Sequence, residues 1–336
     1  MRKTAVFLFM ALFCVIYSNA QNRTQSGINV YIAGSYMDGN TEKACYWKNG
    51  ERIDLADGTR ATQITVVNGI VYVVGWRSIS GQNNEWFLYW INGERKNFGL
   101  GLSERTNATG VAIINGDVYV VGSLYMDLPN PNERAVLWIN GQSRQLASSW
   151  SKAFGIATED GASYILVRTN NRSYYTAYGQ DVSLNGDPWG INVVNGEVYI
   201  AGSYRDSNNG GVPCYWVDGT RYSLPMGNNN VGSAWGIAIA NGVTHIIGQT
   251  STFIPASGNS SSRNEDRTLR YWINGVIQEN PPNAASFSAI TSFENAVYIT
   301  GYFRQGALNI ACYWVNGVRT AIPAGRTANA IAVVRE

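Results

Sequence analysis

Apolar and polar residues alternate in short runs along most of this chain, and the runs come in fours. From Ala61 the sequence reads ATQITVV, Asn68-Gly69, IVYVVG, a polar loop, EWFLYWI, Asn92-Gly93 and ERKNF. Alternation with a period of two predicts strands with one buried face. Asn-Gly between two such runs predicts a tight hairpin, because both turn residues need positive φ. The stretch is therefore expected to form a four-stranded antiparallel meander, with strands A, B, C and D in chain order.

The same unit recurs along the chain. Strand B returns as VYIAG at Val30, VYVVG at Val71 and Val118, SYILV at Ser163, VYIAG at Val198, THIIG at Thr244 and VYITG at Val297. Strand C returns with Trp47, Trp90, Trp138, Trp216, Trp272 and Trp314, and the fourth copy has Thr176 in that place. A repeat of this length, unable to bury its faces alone, predicts a β-propeller. The expected fold is all-β: a seven-bladed propeller of four-stranded antiparallel blades over residues 29–336. The first repeat opens on strand B, and a spare strand A, Ala328 to Val334, follows the last repeat. That spare strand is expected to complete blade one and close the ring, leaving no unpaired sheet edge there.

Residues 1–20 read differently. Arg2 and Lys3 precede an apolar run from Ala5 to Tyr17, and Ser18-Asn19-Ala20 stands before Gln21. This pattern predicts a cleaved secretory signal peptide, followed by a short linker over residues 21–28. The expected location is periplasmic or extracellular. No later run is long enough to cross a bilayer as a helix, so no membrane insertion is expected. Without Arg2 and Lys3 the 25 basic residues become 23, equal to the 23 acidic ones. A net charge of zero gives no electrostatic reason to expect nucleic acid.

Candidate chemistry is sparse. Cys45, Cys214 and Cys312 occupy one repeat position in three blades, which predicts small buried side chains and no disulfide framework. His245 is the single histidine and stands in the tyrosine slot of a strand B, so a structural imidazole is expected. No His/Cys cluster has metal-ligand spacing, and neither a metal nor a cofactor is expected. The tight A–B and C–D turns share one face of the ring, and the long, unlike B–C loops share the other with the D–A connections. Variable loops on a rigid scaffold are where binding concentrates.

At the start of each strand A on that face, the second residue of Ala-x-Gly-Ile is read as Thr62, Thr109, Phe154, Trp189, Trp235, Phe287 and Asn329 in turn. Blades four to seven thus carry an aromatic crescent, with Trp150, Arg60, Arg105, Lys152, Asp187 and Arg326 beside it. Packing between blades is the competing explanation for these aromatics. The candidate ligand site is Phe154, Trp189, Trp235, Phe287, Arg60 and Asp187, with no catalytic residue assigned.

The combination Tyr-Trp-x-Asn-Gly, Leu, Ala-x-x-Ile, a turn and Val-Tyr-Val-Val-Gly resembles secreted bacterial propeller repeats of the HAF type. The resemblance covers about Asn29 to Glu336 and implies the fold and export, leaving the chemistry open. The repeats lack the Gly-His and Trp-Asp pairs of WD40 proteins, the Gly-Gly doublets of kelch repeats and the boxes of sialidases. The expectation is an exported, monomeric, non-catalytic binding or scaffold module for a glycan or a protein. The alternative is a carboxylate-based glycoside-acting enzyme that uses the same mouth, for which Glu104 and Asp187 are the acidic candidates.

Overall fold

Positive φ falls on the residues the sequence marks as turns. The computed structural model describes residues 27–78, 85–97, 105–126, 132–206, 210–254, 263–281, 283–306 and 308–336. Asn68-Gly69, Asn92-Gly93, Asn115-Gly116, Asn140-Gly141, Asn195-Gly196, Asn241-Gly242, Asn274-Gly275 and Asn316-Gly317 all take positive φ at both positions. The asparagine of the C–D turn has a second task. Its side-chain oxygen accepts the N–H of the first valine of strand B, as in Val71 to Asn92 at 2.8 Å, Val118 to Asn140 at 2.9 Å and Val297 to Asn316 at 2.9 Å. One residue therefore sets the turn and ties it to the neighbouring strand.

Among the described residues, seven four-stranded antiparallel sheets form, each in the order A-B-C-D. Blade two is Arg60–Val67, Ile70–Ser78, Glu85–Ile91 and Glu94–Lys96. Blade one takes its strand A from the end of the chain: Gly325–Arg335 lies beside Ile28–Asp38, with Val333 opposite Val30 and Ile331 opposite Ile32. The Glu336 carboxylate clasps this joint, accepting from Tyr31 Oη at 2.9 Å and Lys48 Nζ at 3.2 Å. The expected closure of the ring is present.

The core lies between blades. Trp47, Trp90, Trp138, Trp216, Trp272 and Trp314 are almost fully buried. Each indole lies against the preceding blade's D–A connection where the contacts are described: Trp90 Nε1 donates to Ala56 O at 3.0 Å, and Trp272 Nε1 to Pro225 O at 2.9 Å. Burying a side chain of this size stabilises the fold by roughly 3 kcal/mol. Cys45, Cys214 and Cys312 are buried free thiols, each pushed up by desolvation, Cys312 to about 12. That leaves them protonated, small apolar residues.

Every strand A carries a β-bulge at the same place near its mouth end, and blades one and seven carry a second shift nearer the start of the strand. The register slips at Thr62, Thr109, Phe154, Trp189, Trp235, Ser288 and Asn329 in blades two to seven and one. The bulge pushes the strand A carbonyl two residues earlier onto the last residue of the strand B motif. A Cβ at Gly75 would lie 2.2 Å from Arg60 O, and one at Gly301 only 1.9 Å from Ser286 O. This close approach accounts for the glycine that ends VYVVG and VYITG.

Inside the ring the inner strands enclose a channel of about 290 Å3, lined by residues such as Thr65, Val111, Ile156, Ile191, Ile237 and Ile290. Among the described residues no helix is long and apolar enough to cross a membrane.

Candidate functional site

The bulges decide what reaches the mouth. An extra residue on one strand leaves its side chain unpaired and re-aims it. In two blades that residue is small and polar and stitches neighbouring blades. Thr109 Oγ1 donates to Ala153 O at 2.9 Å, and Asn329 Nδ2 to Ala61 O at 2.7 Å. Phe154 and Trp189 occupy the same place in blades four and five, and there a different structure forms.

Their rings meet edge to face with centroids 5.3 Å apart, and Trp189 is 42% exposed. Arg168, near the end of strand B in blade four, inserts its guanidinium among three rings: 5.0 Å from the Phe154 centroid, 5.8 Å from Trp189 and 5.9 Å from Trp150. The guanidinium also donates to Asp187 Oδ1 at 3.0 Å. Lys152 also lies 5.8 Å from the Trp150 ring and bonds Glu133 Oε2 at 2.7 Å. Lys152 and Arg168 face each other across the A and B strands of blade four. Two carboxylates from blades five and three are thus carried to one aromatic patch by two neighbouring cations. The Asp187 side chain is 38% exposed and that of Glu133 7%.

Of the residues read from the sequence, Phe154, Trp189 and Asp187 come together here, with Trp150 and Lys152. The others do not. Phe287 is a correction: it is 3% exposed and packs edge-on against Trp314 at 5.7 Å. The bulge of blade seven falls one residue later, on the exposed Ser288, because Phe287 fills the slot that Ala61 holds in blade two. Trp235 is at a bulge but lies partly buried against the core between blades six and seven. Arg60 binds Glu42 through Nε at 3.0 Å and Nη2 at 2.8 Å, and Arg326 approaches the other carboxylate oxygen at 3.4 Å. That pair staples blade two to blade one, away from Asp187. Glu104 lies outside the described residues.

Two residues were missed from the sequence. Glu133 has a repeat signal: it stands three residues before Val136, as Glu42 does before Cys45 and Glu85 before Leu88, at the start of strand C in three successive blades. Arg168 has none, since the other blades show no cation in its place. His245 is bonded at 2.6 Å to Tyr271 and takes no part in the mouth. Among the described residues no three His, Cys, Asp or Glu gather where they would hold a metal.

No family model and no curated protein sequence matches this chain. Solved structures do. The chain is similar to sucrose-6-phosphate hydrolase from Lactobacillus gasseri, at 9% identity over 77% of this chain and 61% of that one, with a TM-score of 0.37. It is similar to AztD from Citrobacter koseri, without ligand, at 11% identity over 91% and 98%, TM-score 0.39. It is also similar to a glycoside hydrolase family 43 arabinoxylan arabinofuranohydrolase from Bacillus subtilis, at 11% over 81% and 90%, TM-score 0.31. The chain spans about three fifths of the length of the first of these.

The expectation of a non-catalytic binding or scaffold module is corrected at this point. Hydrolases stand among the structures to which the chain is similar. At such identities the likeness concerns the fold.

Proposed function

We propose that this chain is an exported glycoside-acting propeller whose reaction centre is the mouth of blades three to five. One observation carries the reading: Asp187 and Glu133 flank a single aromatic patch with the exposed face of Trp189 beside them. Glycoside cleavage needs two carboxyl groups on either side of the scissile bond, and a sugar ring needs an aromatic face to rest on. In this reading the sugar lies on Trp189. Asp187, held in place by Arg168, meets the positive charge that develops at the anomeric carbon. Glu133 is the second carboxylate, and Lys152 orients it from within the patch. Export is supported by the leader pattern of residues 1–20 and by the likeness of the repeats to secreted HAF-type propellers.

The test is release of reducing sugar from a panel of plant and microbial oligosaccharides by the intact protein, Asp187→Asn and Glu133→Gln. Loss of a catalytic carboxylate removes about 10²–10⁴-fold of rate. The expected result is turnover of at least one substrate, with kcat lowered by that order in each variant while the melting temperature holds. Absence of turnover across the panel, or variants as fast as the parent, contradicts the assignment.

A further inference from the structure

Blade four breaks the repeat, and the break leaves a pocket of about 610 Å3 on the outer flank between blades three and four. Thr176 faces Ile165 in strand B, as Trp90 faces Val73 in blade two, so a threonine occupies the indole slot. The surroundings of that slot are otherwise kept. Leu146 N donates to Ala135 O at 2.9 Å, as Leu55 does to Ala44 O and Leu224 to Pro213 O. The next carbonyl accepts an indole N–H in those two cases, from Trp90 and Trp272. In blade four the next residue is Ala147, and it lines the pocket. Tyr174 fills part of the space: it stands in the slot of Cys45, is 3% exposed and donates to Leu146 O at 3.3 Å.

The remaining space is polar and charged. Arg172 lies over the Tyr174 ring at 4.2 Å and bonds Asp181 at 2.6 Å. Asp181 is the one carboxylate among the lining residues, and Arg144 on strand D of blade three adds a second guanidinium. The lining is thus positive by one charge, and Ser148 and Asn171 offer hydroxyl and amide groups beside it. A volume of this size falls within the roughly 300–1,000 Å3 of small-molecule sites. Arg144 has no partner among the described residues, and such a guanidinium in a polar recess fits an oxyanion in bidentate fashion.

We propose that this pocket binds an anionic monosaccharide unit, its charge a carboxylate or a sulfate ester, with Arg144 on the anion and Ser148 and Asn171 on the ring hydroxyls. The proposal stands independently of what the mouth does. It is tested by calorimetry and saturation-transfer NMR on the full chain with D-glucuronate, D-glucose 6-sulfate and D-glucose. At least one of the two anions is expected to bind about tenfold or more tightly than D-glucose, and Arg144→Gln is expected to weaken that binding about tenfold, the loss of one charged hydrogen bond. The double variant Thr176→Trp/Tyr174→Cys, which restores the residues of the other blades, is expected to abolish it. If neither anion binds, if D-glucose binds as tightly, or if binding is unchanged in either variant, the proposal fails. Arg144 is exposed on strand D, so its variant gives a reading even if the double variant does not fold.

Discussion

An indole buried between blades is held in two ways, and the difference is measurable. Trp272 donates its N–H to Pro225 O, while the N–H of the equally buried Trp216 has no hydrogen-bond partner among the described residues. Truncation of either to alanine is expected to cost about 3–5 kcal/mol in urea unfolding. Replacement by phenylalanine separates them: Trp272→Phe also strands a carbonyl, so it is expected to cost about 1 kcal/mol more than Trp216→Phe. Equal costs would mean that the hydrogen bond adds nothing to packing. His245 gives a pH prediction. Burial holds its imidazole below the ordinary value of 6.5, so the folded chain takes up this proton at lower pH than the unfolded chain does. Between those two values the unfolded state binds more protons, and stability is lost as pH falls from 6.5 toward the lowered value. His245→Tyr, the residue of this slot in the other blades, is expected to flatten the urea midpoint across that window. A parent protein with a flat midpoint there contradicts the account of His245.

At the scale of strands, the bulge and the glycine opposite it form one device. Gly301→Ala places a Cβ within 1.9 Å of a backbone oxygen, while at Gly155 the nearest contact is Ile191 Cγ2 at 3.3 Å. The first change is expected to cost about 2–3 kcal/mol and the second less than about 1 kcal/mol, read from urea unfolding. Comparable losses would detach the glycine from the bulge. The device also marks the limit of what the sequence reveals. Strands, turns and blade order are legible because a period of two and Asn-Gly are local signals. Register slips belong to two strands at once and leave no such mark. Blade seven differs by one residue for that reason: in sequence Phe287 looks like the bulge aromatics of the preceding blades, and only the pairing of Gly301 with Phe287 and of Thr300 with Ala289 moves the bulge to Ser288. The mouth was legible in part for a related reason. Phe154, Trp189 and Asp187 share a repeat position or stand beside it. Arg168 and Glu133 join them across blade boundaries, through contacts that no single repeat encodes.

For the molecule as a whole, closure turns a row of repeats into a rigid ring with two unlike faces. The pairing of Gly325–Arg335 with Ile28–Asp38 and the clasp of Glu336 on Tyr31 and Lys48 join the two ends of the chain in one blade. Rigidity matters at the mouth because its charged groups come from three blades, and a fixed ring sets their separation before any ligand arrives. The same geometry predicts which face is active. The A–B and C–D face presents tight turns, whereas the B–C and D–A face presents Trp189, Asp187, Arg168, Lys152 and Glu133 together. The most direct measurement is a crystal structure of Glu133→Gln soaked with an oligosaccharide that the intact protein cleaves. The account predicts a sugar ring stacked on Trp189, with its glycosidic bond between Asp187 and residue 133. A sugar seated on the opposite face, or bound away from Trp189, would contradict it.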